Sequence, residues 1–66
     1  MKISDRVLVR VFRFNKYKSK FYIKSGIITG INITTYTVTL DNPFVNLDTV
    51  KVEPKNCFRN PENKVI

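Results

Sequence analysis

Apolar residues recur at every second position through much of this chain. Val7, Val9 and Val11 alternate with Arg6, Leu8, Arg10 and Phe12. A period of two sends successive side chains to opposite faces, so this segment predicts a half-buried strand with its valines inward. Its β-branched composition suits a pleated, half-buried surface. Arg6 and Arg10 then share the wetter face with Phe12 and, further along, Phe14. The alternation lapses across residues 13–20, Arg-Phe-Asn-Lys-Tyr-Lys-Ser-Lys, which reads as a long loop. Strand character resumes over residues 21–34, with Gly26 and Gly30 inside it. A glycine within a strand marks a bulge or a close backbone approach. A bulge near Gly30 would reconcile Ile28 with Ile31, which otherwise point to opposite faces. Residues 32–35 are the next turn.

Tyr36, Val38 and Leu40 alternate with threonines and share one face. Asp41-Asn42-Pro43 is expected to end that strand, because proline lacks an amide donor and Asn and Asp favour turns. Residues 45–48 make a short connection. Residues 48–52 form a last strand with Val50 and Val52 inward, closed by Glu53-Pro54. A single 3-10 turn over residues 55–59 would lay Cys57 or Phe58 on the end of the fold. The prediction is an all-β domain: a small, strongly bent barrel of about five short strands, with a long basic first loop and a 3-10 turn before the last segment. Closure helps a short sheet manage its edges. Residues 1–59 are assigned to the barrel and residues 60–66 to a fraying tail.

The order of these segments resembles an SH3-like barrel of the KOW and Tudor type. Asp5-Arg6-Val7-Leu8-Val9 corresponds to the opening strand and Gly26-Ile27-Ile28-Thr29-Gly30-Ile31 to the second. Tyr36-Thr37-Val38-Thr39-Leu40-Asp41 and the short Val50-Lys51-Val52 follow. The resemblance implies the barrel fold and says less about activity. The chain departs from methyl-lysine readers, whose aromatic cages hold a cation near an acid. Here Phe21, Tyr22 and Tyr36 stand in cationic surroundings.

Sixty-six residues make one domain at most. Cys57 is the only cysteine and there is no histidine, which rules out an internal disulfide and argues against a structural zinc site. A lone thiol fits a reducing, cytoplasmic setting. No window reaches the roughly 18 apolar residues that a membrane-spanning helix needs. The five carboxylates are scattered, and Asp41 and Asp48 lie in turn sequence without a partner base. Cys57 has no histidine to activate it. The chain is therefore read as a non-enzyme without a cofactor or metal.

Charge supplies the functional signal. Residues 6–24 hold seven cations and no acid, whereas the remainder balances five cations against five acids, so the whole formal charge of +7 arises in that stretch. The stretch also carries Phe12, Phe14, Tyr17, Phe21 and Tyr22, five of the eight aromatic residues. Interleaved cations and rings point to an anionic partner, nucleic acid first. Arg10, Arg13, Lys16, Lys18, Lys20 and Lys24 would converge on one side to neutralise phosphates, with Phe14, Tyr17 and Tyr22 stacking on unpaired bases. Such contacts bind with little sequence selectivity. The same residues have a structural use. Edge lysines block sheet-to-sheet aggregation, and Phe12, Phe21 and Tyr22 serve equally as core rings. The alternative partner is an acidic protein, held by a docking or inhibitor module within a larger assembly.

Overall fold

The valine alternation forms β1, Arg6–Phe14, in a computed structural model that describes residues 1–14 and 16–66. Val7 and Val9 are fully buried and Val11 is half-buried, as the period of two requires. β2 spans Ser19–Ile31, β3 Tyr36–Phe44 and β4 Leu47–Val52. A 3-10 turn, Pro54–Asn56, leads into β5, Cys57–Arg59. All pairings are antiparallel, and the five strands form one sheet in the order β4-β3-β2-β1-β5. β1 also meets β4, from which β2 and β3 separate it in the sheet, so the sheet curls over its own inner face. No helix among the described residues is long and apolar enough to cross a membrane.

Every strand contributes to the core. Val7 and Val9 of β1, Ile28 of β2, Val38 and Leu40 of β3, Val52 of β4 and Cys57 of β5 are buried together. Val11, Tyr36, Phe44 and Val50 pack at its margin. Each large aliphatic side chain removed from water contributes on the order of 1.5–3 kcal/mol. Burial also holds the Cys57 thiol above its ordinary pKa, because the thiolate would lose its hydration.

The predicted bulge is present. β2 and β3 pair in register through Ile28↔Val38, then shift so that Gly30 meets Thr37 and Ile31 meets Tyr36. Four expectations need correction. Half of the long loop expected over residues 13–20 is strand, since Arg13 pairs with Lys20 and Phe14 with Ser19. Only four residues, 15–18, separate β1 from β2. Pattern reading missed these pairs because neither face of this part of the ribbon is buried, so no alternation marks them.

The third strand does not end at Leu40 but runs to Phe44 through Pro43. Its last partner on β2 is Gly26, opposite Leu40, and its pairing with β4 jumps from Thr39 to Phe44. Pro43 therefore lies where no ladder needs its missing amide. The 3-10 turn sits earlier than predicted, and Cys57 and Phe58 belong to a fifth strand, with Val9↔Cys57 and Leu8↔Phe58. The segment after residue 59 is tied down. Asn60 is buried, its backbone amide donates to Arg6 O at 3.1 Å, and its Nδ2 donates to Lys64 O at 2.8 Å. The Ile66 amide donates to Ser25 Oγ at 2.7 Å.

The β3–β4 turn is strained. Val45 and Asn46 both adopt left-handed φ values, 52° and 62°. Two such residues make the turn that suits a tight hairpin, where Asn-Gly is preferred. A β-branched residue is poorly tolerated there. Val45→Asn with Asn46→Gly is expected to stabilise the domain by about 1 kcal/mol, or roughly 4–8 °C in Tm. Thermal unfolding followed by circular dichroism measures it. An unchanged or lower Tm would show that the turn carries no strain.

Candidate nucleic-acid interface

β1 and β2 pair with each other beyond the point where β5 and β3 accompany them. β5 pairs only with Val7, Leu8 and Val9, and β3 meets β2 only from Gly26 onward. The ladder from Arg10↔Ile23 to Phe14↔Ser19 is therefore a two-stranded arm. Every described residue from Phe12 to Phe21 is exposed. Those ten positions hold Arg13, Lys16, Lys18 and Lys20, together with Phe12, Phe14, Tyr17 and Phe21, and no acid.

Directly opposed residues in an antiparallel pair share a face. On one face, Val9 stands opposite Lys24, Val11 opposite Tyr22 and Arg13 opposite Lys20. This face continues the inner surface of the sheet outward from the core. Lys20 Nζ lies 5.5 Å from the centre of the Tyr22 ring. Tyr22 in turn packs on Phe44 at 5.0 Å between centroids, and Lys24 Nζ lies 4.7 Å from the Phe44 ring. Tyr22 is half-buried by these contacts. It supports the base of the arm instead of presenting a free stacking surface, which corrects its expected role. Arg13 and Lys20 place like charges directly across the ladder, a local repulsion that a bound anion would relieve.

The other face carries rings. Arg10 stands opposite Ile23 and Phe12 opposite Phe21, with Phe14 two residues further along the same strand. The Phe12 and Phe14 rings are 6.5 Å apart at 16°, and Phe12 and Phe21 are 6.3 Å apart at 58°. The Arg10 guanidinium lies 5.2 Å from the Phe21 ring and 5.5 Å from Phe58. Its Nε is buried with no hydrogen-bond partner among the described residues. An unpaired buried donor costs about 1–3 kcal/mol, and two cation–π contacts offset it by on the order of 0.5–2 kcal/mol each. Arg10 is thus a pillar between rings, on the face opposite Arg13, Lys20 and Lys24. The expected convergence of all the cations on one side does not hold, because odd and even positions of one strand face opposite ways.

Lys16, Tyr17 and Lys18 lie at the tip. Lys16 Nζ sits 5.7 Å from the Tyr17 ring centre, and Tyr17 is 86% exposed. Arg6 is set apart from the site, because its Nη1 pairs with Asp41 Oδ2 at 2.7 Å. Of the other two ion pairs among the described residues, Lys64–Glu62 involves the C-terminal segment, and Lys55–Glu53 borders the base of the arm, where both residues line a groove with Arg10 and Phe12. Arg10, Arg13, Lys20 and Lys24 make no ion pair among the described residues. Asp41, Glu53 and Glu62 pair with cations outside the exposed stretch from Phe12 to Phe21.

The two unassigned rings, Phe12 and Phe21, prove to be exposed and not core, at 47% and 54%. Phe58, expected at the end of the fold, joins the ring face at 41% exposure. The alternation Arg10-Phe12-Phe14 was the available signal for that face. The register that adds Phe21 and Phe58 was not readable from spacing. The described residues contain no group of three or more His, Cys, Asp or Glu side chains able to hold a metal ion. No protein-family model, curated protein or solved structure matches the chain.

Proposed function

We propose that this chain is a small non-enzymatic binding module of SH3-like architecture, and that its β1–β2 arm holds nucleic acid with little sequence selectivity. The observation that carries the reading is the composition of the arm: four cations and four rings, all exposed, without one acid. The SH3-like assignment rests on a meander whose short fifth strand returns to β1 after a 3-10 turn. The lone buried thiol suits a reducing, cytoplasmic compartment. Arg13, Lys16, Lys18, Lys20 and Lys24 supply the phosphate contacts, and such contacts position a strand without reading its sequence.

Fluorescence-anisotropy titration with labelled oligonucleotides at several salt concentrations tests this. Five phosphate contacts predict a log–log slope of about −4.5 on duplex and about −3.5 on single strands. Absence of binding to either form at low salt would sink the reading. Nuclease-resistant capture of an acidic protein by such a non-binding chain would instead support the docking alternative.

A further inference from the structure

We propose that the ring-bearing face of the arm is a stacking platform for unpaired bases, so that the module prefers single-stranded to duplex nucleic acid. The inference rests on the nucleic-acid reading above and specifies its substrate class. Phe12, Phe14 and Phe21 are exposed on one face of a ribbon whose other face and tip are cationic. Exposed rings have no favourable partner on a duplex surface, where base faces are already stacked and phosphates face outward. A single strand offers both chemistries at once: flat apolar faces and a charged backbone.

The geometry suits that combination. Two residues of strand rise about 6.6 Å, and the nearly parallel Phe12 and Phe14 rings stand 6.5 Å apart. Successive ring surfaces are thus presented in a row along β1. Arg10, wedged between Phe21 and Phe58, fixes the inner end of the platform and adds a cationic plane beside the rings. Towards its tip the arm is only two strands wide, with both edges exposed at Arg13, Phe14, Ser19 and Lys20, whereas at its base the β1 edge faces β4 and the 3-10 turn. Long side chains from the cationic face reach phosphates at those edges while the bases lie across the rings.

Other occupants of an exposed ring face suit this chain less well. A second copy would bring its own net charge of +7 against this one. An anionic lipid surface satisfies the lysines and the rings, but it would not distinguish unpaired from paired bases.

The experiment compares the wild-type chain with the Phe12→Leu, Phe14→Leu double variant, which keeps apolar bulk and removes the flat rings. Both positions are exposed, and folding is checked by circular dichroism. The probes are a pyrimidine single strand of twelve nucleotides and a duplex of equal length, at one salt concentration. The wild type is expected to bind the single strand at least ~10-fold tighter than the duplex. The double variant should lose ~10-fold or more on the single strand and under ~2-fold on the duplex, with an unchanged salt slope. Equal affinities for the two probes in the wild type overturn the platform, as does an equal loss on both probes or no loss on either. Binding of both probes with no effect of the variant overturns this inference alone. Binding of neither probe overturns the nucleic-acid reading with it. Vesicles of anionic phospholipid that compete fully with the single strand for the rings also overturn it.

Discussion

Replacing Gly26 with alanine is expected to cost about 3 kcal/mol or more and to leave much of the chain unfolded at room temperature. The reason is space, not backbone freedom, since no glycine here has a positive φ. A Cβ at position 26 would stand 2.5 Å from Thr39 O and 2.7 Å from Val38 Cγ1. The oxygen belongs to the backbone of the neighbouring strand, and Val38 is fully buried. Neither can move without parting β2 from β3 at the centre of the sheet. Overpacked cores usually lose about 1–3 kcal/mol, and backbone overlap lies at the upper end. A domain of this size holds only about 3–10 kcal/mol in total. Gly30→Ala provides the contrast. Its Cβ would meet Thr37 Cβ at 3.2 Å, so the neighbouring strand need give by only a few tenths of an ångström. It should change stability by less than about 1 kcal/mol. Urea unfolding of both variants measures the difference. Equal midpoints would show that the β2–β3 approach is looser than these distances require.

The second large effect concerns the arm. Changing Arg13, Lys16, Lys18 and Lys20 together to glutamine should weaken single-strand binding on the order of 10²–10³-fold at ~0.1 M salt. Each lost phosphate contact removes about 0.7 from the single-strand salt slope, so the slope should become shallower by about 3. Stability should change by no more than about 1–2 kcal/mol, because the terms nearly offset. All four side chains are exposed, and the exchange relieves the Arg13–Lys20 repulsion, worth on the order of 0.2–1 kcal/mol. Loss of the Lys16–Tyr17 and Lys20–Tyr22 ring contacts subtracts on the order of 0.5–1 kcal/mol each. Titration and thermal unfolding on the same sample read both effects. A lower Tm with an unchanged slope would show that these cations serve the fold and not a ligand.

Part of this architecture is legible in the residue pattern alone. Val7, Val9, Val38 and Leu40 announce themselves because each lies on a strand with one face in the core, where alternation is enforced by burial. The bulge at Gly30 is legible for the same reason, since two isoleucines otherwise clash in phase. The segment 13–20 is not, because a two-stranded ribbon in solvent imposes no alternation on its residues. β5 is not legible either. Three residues carry too little pattern, and their strand state comes from pairing with Val7, Leu8 and Val9, some fifty positions away. Gly26 illustrates a finer limit. Composition marks it as special but does not say whether a bulge or a close approach is the cause.

The charge anomaly divides along the same line. Sequence alone determines that the cations and most of the rings lie in one acid-free stretch, because charge is a property of residue type. Their partition follows from the fold. The pairing of Phe12 with Phe21 and Arg13 with Lys20 sends rings to one face and cations to the other. Asp41, distant in the chain, comes to Arg6 and removes it from the patch. Contacts of that kind join positions far apart in sequence, and only the strand order, with β1 and β3 on either side of β2, brings them within reach.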